Sequence, residues 1–320
     1  MRILSRAQVR EAIAMPTAIE VMRLAFSALS RGKATVPMRL ALESQAGVTL
    51  LMPAHLHESE SSGLKVVSVH PGNPGLGVPV IQAVILVLDG ATGAVRAMMD
   101  GAWLTALRTG AAGGLATDLL ARADSSTVAL FGAGVQARMQ LEAVRCVRPV
   151  TDVRVVSRSG ASAEALVAEL EGVPARRVER PEDALLGADI VITATNSTTP
   201  VFDGSLVEPG AHVTAIGSFT PDMREVDTAL VLRARVVVDQ RDAALSEAGD
   251  IMGPIRDGAA DASVVSAELG DIVLGRAPGR LEHDEITLFK SVGNAVQDVA
   301  IAAHVLAVAE ERSLGQIVGV

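Results

Sequence analysis

The stretch Thr127–Gln136 reads TVALFGAGVQ. TVALF is a short β-rich run, and the segment after it, Ala137–Val147, puts Ala137, Leu141, Val144 and Val147 on one helical face. Between them, Gly132-Ala-Gly134-Val-Gln-Ala137 is the G-x-G-x-x-A form of the dinucleotide fingerprint. Its first glycine permits the tight turn, its second lets backbone approach a pyrophosphate, and Ala137 keeps helix and strand close. The helix start then offers free N–H groups and a positive dipole end to phosphates. A glycine pattern alone is a weak signal. Here it sits between a strand and an amphipathic helix, inside a βαβ unit, and so reads as a nicotinamide-cofactor turn in a Rossmann domain.

Downstream the rhythm continues. VRVVS, DIVIT, HVTAI and RVVVD are further β-rich runs, and Ala163, Leu166, Val167 and Leu170 share a helical face after the second strand. This alternation predicts a parallel sheet covered on both sides. Upstream the pattern differs. Ser5-Arg-Ala-Gln8 and Thr17-Ala-Ile-Glu20 fit helix-opening capping boxes, the second leading into the stripe Ile19, Met22, Phe26 and Leu29. RLALES, GVTLLMP, LKVVSVH and VPVIQAVILVLDG then read as strands, with a loop over His70–Pro79. Ala102–Ala121 reads as a long helix of small residues, and SVGNAVQDVAIAAHVLAVAEE as a helix apolar on most sides and therefore buried.

Composition narrows the function classes. The 320 residues are 49% hydrophobic and 20% charged with a net charge of -9, as in globular α/β proteins. Aromatic residues make up 2%, and basic residues are scattered, so neither the stacking rings nor the basic face of a nucleic-acid binder is present. The longest apolar run, Val78–Leu88, is too short to cross a bilayer, which takes about 20 residues. The N-terminus is broken by Arg2, Arg6, Arg10 and Glu11, and a cytoplasmic location is expected. The single Cys146 reads as inert helix packing. His55-Leu-His57 has chelating spacing but no third ligand, so no metal is expected.

The second strand of the Rossmann unit ends Ser157-Arg158-Ser159. NAD-specific folds usually place a carboxylate there for the ribose 2′-hydroxyl. Arg158 instead offers a fork of donors to a 2′-phosphate, unless it is simply a solvated surface arginine. NADP(H) is therefore the preferred cofactor, with NAD(H) as the alternative.

The chain resembles the ornithine cyclodeaminase/mu-crystallin family over nearly its whole length. The resemblance lies in VPMRLAL, LLMPAH, GLKVVSVHPGNPGLGVP, VLDGATGAVRAMMDGAWLTALRTGAA, LFGAGVQA, VITATNS and KSVGNAVQD. It implies an α/β fold in which a Rossmann domain, residues 123–289, is set into an α+β substrate-binding and dimerisation domain. That second domain is built from residues 1–122 and 290–320, and the protein is expected to be a homodimer. By matching position, Arg39, Lys65 and Arg108 become substrate contacts, with Lys65 catalytic. The cofactor set becomes Thr109, Gly132, Gly134, Val135, Gln136, Ser157, Arg158, Ser159, Thr195 and Val292. The chemistry agrees: arginine binds an α-imino or α-amino acid carboxylate bidentately, and Arg108 lies in an otherwise small, apolar helix where an unpartnered charge is costly.

One segment departs from the cyclodeaminase pattern. Ile216-Gly-Ser-Phe-Thr-Pro-Asp222 has Phe219 where cyclodeaminases carry an Asp implied to handle proton and water chemistry. Phe cannot accept a proton. This places the chain nearer the ketimine-reducing, mu-crystallin-like branch. Asp222 reads as a helix cap in PDMRE or as a substitute base, and Asp298 as orienting either a substrate cation or backbone. The expected activity is NAD(P)H-dependent reduction of a small cyclic α-imino acid, pyrroline-2-carboxylate or piperideine-2-carboxylate, at C2. Alternatives are ornithine cyclodeamination, an alanine-type dehydrogenase, or a nucleotide-binding protein without turnover.

Overall fold

The computed structural model describes residues 1–319. The chain divides into two compact units, Met1–Arg108 with the segment from Asn294 onward, and Thr109–Gly293.

The first unit opens with β1 (Arg2–Leu4), α1 (Arg6–Ala12) and α2 (Met15–Ser30). The capping box at Ser5 forms, with the Gln8 side chain accepting from the Ser5 backbone N–H at 3.0 Å. The second helix starts two residues before the predicted Thr17. Pro16 supports that start, since its fixed φ and missing N–H suit a first turn. Five further strands follow: β2 (Ala34–Thr35), β3 (Leu40–Ser44), β4 (Gly47–Leu56), β5 (Ser61–Val69) and β6 (Ile81–Asp89), then β7 (Val95–Asp100) and the helix α3 (Gly101–Leu120).

In the second unit come β8 (Thr127–Phe131), α4 (Val135–Val147), β9 (Asp152–Val156), α5 (Gly160–Glu169), β10 (Ala175–Arg177), α6 (Pro181–Leu185), β11 (Ile190–Thr193) and β12 (His212–Ala215). Then follow α7 (Thr228–Arg233), β13 (Ala234–Val238), α8 (Arg241–Glu247), α9 (Gly249–Arg256), β14 (Val265–Glu268), α10 (Leu269–Val273) and β15 (Ile286–Lys290). The chain returns to the first unit with α11 (Ala295–Glu311) and β16 (Gln316–Ile317).

The second unit is the Rossmann domain. Its eight strands run in the order β10-β9-β8-β11-β12-β15-β13-β14, and every pair is parallel. Strand residues alternate between two cores, as a sheet covered on both faces requires. Val128 and Leu130 pack with Leu141, Val144 and Leu166 on one side. Ala129 and Phe131 pack with Leu185, Val213, Leu230 and Val238 on the other. The order reverses between β8 and β11, the switch point where such sheets bind ligands.

The first unit is α+β. Strands β4 to β7 form an antiparallel meander within the order β16-β1-β7-β6-β5-β4-β2, with β3 on β4. The apolar C-terminal helix covers this sheet closely. A side chain at Gly63 on β5 would meet Val299 at 2.7 Å, so glycine there lets α11 sit down on the strand.

The boundaries differ from the predicted 122/123 and 289/290. Helix α3 is continuous, yet its second half belongs to the Rossmann unit. Gln140 on α4 donates to the Thr109 carbonyl at 2.8 Å, a Cβ at Gly113 would strike the Gln140 amide, and Arg148 donates to the carbonyls of Thr117, Asp118 and Ala121. Similarly, Ser291, Val292 and Gly293 donate to the carboxylate of Asp239 and so stay with that unit. Among the described residues no single helix is long and apolar enough to cross a membrane.

Candidate active site

In the first unit, β5 brings Lys65 beneath α11, and the first half of α3 brings Arg108 beside it. Asp298 joins the two. Its Oδ2 lies 2.7 Å from Lys65 Nζ and its Oδ1 accepts from Arg108 Nε at 3.0 Å. Lys65 is 1% exposed, Arg108 6% and Asp298 0%, so these are buried ions rather than surface pairs. Arg108 also donates to Gln297 Oε1 at 2.6 Å. A guanidinium can only donate, which fixes the orientation of that amide. The Gln297 Nε2 then has no hydrogen-bond partner among the described residues.

Burial pushes the Lys65 ammonium down to about 8, with Asp298 opposing the shift and Arg108 and Arg39 adding to it. Arg39 precedes β3, is half-buried, and is thus close enough to be felt at Lys65. Lys65 and Arg108 share one carboxylate, and Arg39 adds its positive charge at Lys65. Such a site is short of negative charge, and an incoming carboxylate supplies it.

In the second unit the glycine turn has the geometry of a pyrophosphate cradle. Gly132 has φ +112°, and a Cβ on it would lie 2.4 Å from the Ala194 carbonyl oxygen. Above Gly134 there is open space within 4 Å of the position a Cβ would take. Gly134 caps α4 without any side-chain acceptor, leaving the first-turn N–H groups to a ligand. Val135 is 62% exposed and Gln136 Oε1 is buried without a partner among the described residues, while Ala137 is fully buried against the sheet. The residues present fit a dinucleotide.

The remaining sequence candidates fall into two groups. Ser157, Arg158 and Ser159 follow β9. Arg158 is exposed, whereas the Ser159 hydroxyl is occupied as the cap of α5, accepting from Ser162 N at 3.3 Å. Thr109, Thr195 and Val292 are already held internally: Thr109 through Gln140, Thr195 through Glu225 and Val292 through Asp239.

Several expectations change. Asp222 caps no helix; it sits exposed in a turn, and Asp227 caps α7 instead, accepting from Leu230 N at 2.9 Å. Cys146 is exposed rather than packed, although burial by its neighbours pushes its thiol up and disfavours the thiolate. His57 and His55 bond to Thr35 and Ser62, with their rings 5.2 Å apart. Gln297 and Glu225 were not singled out by the sequence reading. Gln297 carries the signal that marked Arg108, a polar group in an apolar helix. Glu225 follows the exposed turn residues Pro221 and Asp222 closely and carries no local signal of its burial.

Comparison with known proteins identifies the family and the fold. The profile of the ornithine cyclodeaminase/mu-crystallin family matches residues 1–313. A Delta(1)-pyrroline-2-carboxylate reductase of Bacillus cereus is 37% identical over 322 residues, covering 99% of each chain. The structure of Thermococcus litoralis Delta(1)-pyrroline-2-carboxylate reductase in complex with NADH and L-proline superposes with a TM-score of 0.96 at 40% identity, over 99% of this chain and 100% of that one. An archaeal alanine dehydrogenase dimer with bound NAD superposes at 0.95 with 36% identity, over 100% and 99% of the two chains. The chain belongs to the ornithine cyclodeaminase/mu-crystallin family.

Proposed function

We propose that the protein reduces a small cyclic α-imino acid, pyrroline-2-carboxylate or its six-membered homologue, by hydride transfer to C2 at the expense of NAD(P)H. The observation that carries this reading is the buried Lys65–Asp298–Arg108 cluster with its excess of positive charge. Arg108 and Arg39 clamp the substrate carboxylate, and Asp298 holds Arg108 and Lys65 in place. The Lys65 ammonium, held near neutrality by burial, gives its proton to the ring nitrogen as C2 is reduced. Gly132, Gly134 and the start of α4 would hold the pyrophosphate of the dinucleotide, whose reduced nicotinamide would supply the two electrons as hydride. No carboxylate base is needed for this reaction, which suits Phe219, a partly buried member of an apolar core. The same residue disfavours deamination of ornithine.

Within this reading the cofactor is NADP(H), supported by Arg158 at the end of β9 and the lack of a carboxylate there; NAD(H) is the alternative. The protein is a cytoplasmic homodimer. Leu40 and Leu42 on β3 are 56% and 53% exposed, an apolar edge suited to a second copy.

The deciding experiment follows NADPH and NADH oxidation with five- and six-membered imines, beside ornithine. Rapid imine-dependent oxidation with little ammonia from ornithine is expected. Ammonia and proline from ornithine without imine reduction would overturn the proposal. The likeness to an alanine dehydrogenase gives a second reading, which requires pyruvate reduction only in the presence of ammonia.

A further inference from the structure

A second cluster of buried charges lies in the Rossmann unit and plays no part in the reaction above. Glu225 is 0% exposed. Its Oε1 accepts from the Thr195 backbone N–H at 2.6 Å and from the Thr195 hydroxyl at 2.8 Å. Its Oε2 accepts from the Gly217 N–H at 2.6 Å and the Thr193 hydroxyl at 3.0 Å. Thr195 follows the end of β11, and Gly217 follows the end of β12. The two strand ends approach so closely that a Cβ on Gly217 would lie 2.0 Å from the Thr195 carbonyl oxygen.

Glu225 is fixed in turn. Asp250, at the start of α9, accepts from the Glu225 and Val226 N–H groups at 2.7 and 3.0 Å, and its other oxygen pairs with Lys290 at 2.8 Å. Asp250 and Lys290 are also 0% exposed. Burial pushes the Glu225 carboxyl up, with Lys290 opposing and Asp250 adding to the rise. Two acids and one base withdrawn from water cost several kcal/mol per ion before pairing. An apolar core would hold the strands together at lower cost. What the carboxylate adds is the placement of two particular backbone amides at the carboxyl ends of β11 and β12, beside the switch point where a parallel sheet meets its ligand.

We propose that Glu225 is a positioning residue for the cofactor: it clasps the Thr195 and Gly217 loops into the shape that receives the dinucleotide. The inference rests on the dinucleotide reading of the glycine turn and not on the identity of the imine. Glu225→Gln tests it sharply. Both oxygens accept from backbone N–H groups, which cannot reverse, so the glutamine NH₂ must face one of them and displace a loop.

Binding of NADH and NADPH is followed by nicotinamide fluorescence, and pyrrole-2-carboxylate binding by calorimetry. Glu225→Gln should weaken cofactor binding about tenfold or more and leave pyrrole-2-carboxylate binding unchanged. Thr195→Val, which removes only one hydroxyl and disturbs folding little, should weaken it less. The double variant should lose less than the sum of the two single losses, because both act on the Thr195 loop through Glu225. Glu225→Gln that lowers the melting temperature but binds cofactor as the wild type does would overturn the inference, as would additive losses in the double variant. A wild type that binds neither cofactor would overturn both this inference and the proposed function. A wild type that binds cofactor but reduces no imine would overturn the function alone.

Discussion

The molecule buries two charge clusters, and they are built to opposite plans. Around Asp298, cations outnumber the carboxylate, and the Gln297 amide keeps a donor without a partner among the described residues. Around Glu225, two carboxylates face one lysine, and the Glu225 oxygens accept four bonds from their own chain. The first cluster is incomplete and calls for an anion from outside. In the second, both Glu225 oxygens are engaged and hold backbone, while Lys290 Nζ and Asp250 Oδ2 pair as ions at 2.8 Å without a hydrogen-bond partner among the described residues. Burial therefore does not distinguish a reactive charge from a supporting one; the balance of donors and acceptors does.

The largest expected effect comes from Lys65. Lys65→Met keeps much of the side-chain volume and removes the proton, so kcat for imine reduction should fall about 10²–10⁴-fold, with NADH binding unchanged. A fall in cofactor affinity with kcat intact would place Lys65 in a supporting role and erase the contrast between the clusters.

Asp298→Asn comes next. It leaves Lys65 and Arg108 buried without their anion, and should cost about 3–5 kcal/mol of stability, measured by denaturant midpoint. Because Asp298 raises the Lys65 value against burial, its loss lowers that value further. The pH profile supplies the readout. In the wild type, reduction uses protonated Lys65 and should decline as pH rises through about 8, while oxidation of proline should increase over the same range. In Asp298→Asn the declining limb should move to lower pH. Unfolded lysine near 10.5 binds its proton where native Lys65 has lost it, so the Lys65 contribution to stability grows with pH between about 8 and 10.5. A wild-type profile flat through this range would remove Lys65 as the donor.

The sequence was legible where function and local pattern coincide. TVALFGAGVQ marks the β8 turn because strand, glycines and helix must be adjacent in the chain for the cradle to form. Lys65 and Arg108 could be carried over by motif, but their meeting at Asp298 spans 190 residues or more and has no local trace. The boundary within α3 was hidden for a related reason. Helical periodicity records that a face is buried, not by which unit, so Arg108 and Thr109 look alike although the division falls between them. Strand order was hidden as well: β15 inserts between β12 and β13, which are consecutive strands in the chain. Glu225 shows the limit most clearly. In PDMRE it follows exposed Pro221 and Asp222, and only the folded loop reveals that this carboxylate is buried while Asp222 remains in solvent.

The smallest expected effect concerns Arg158, a site candidate that neither cluster supports. It is exposed after β9 and relies on no buried partner, so its replacement should cost little stability. Arg158→Asp exchanges a donor fork for a carboxylate of the kind that holds a ribose 2′-hydroxyl. It should weaken NADPH about ten- to hundredfold, the value of a lost charge-assisted contact, and leave NADH unchanged or improved. KM for the two cofactors with a single imine measures this directly. Equal loss with both would show that the loop after β9 supports the turn as a whole, as Glu225 supports the loops after β11 and β12, and does not read the 2′ position. The cofactor half would then consist entirely of supporting contacts, and selection by charge would be confined to the cluster around Asp298.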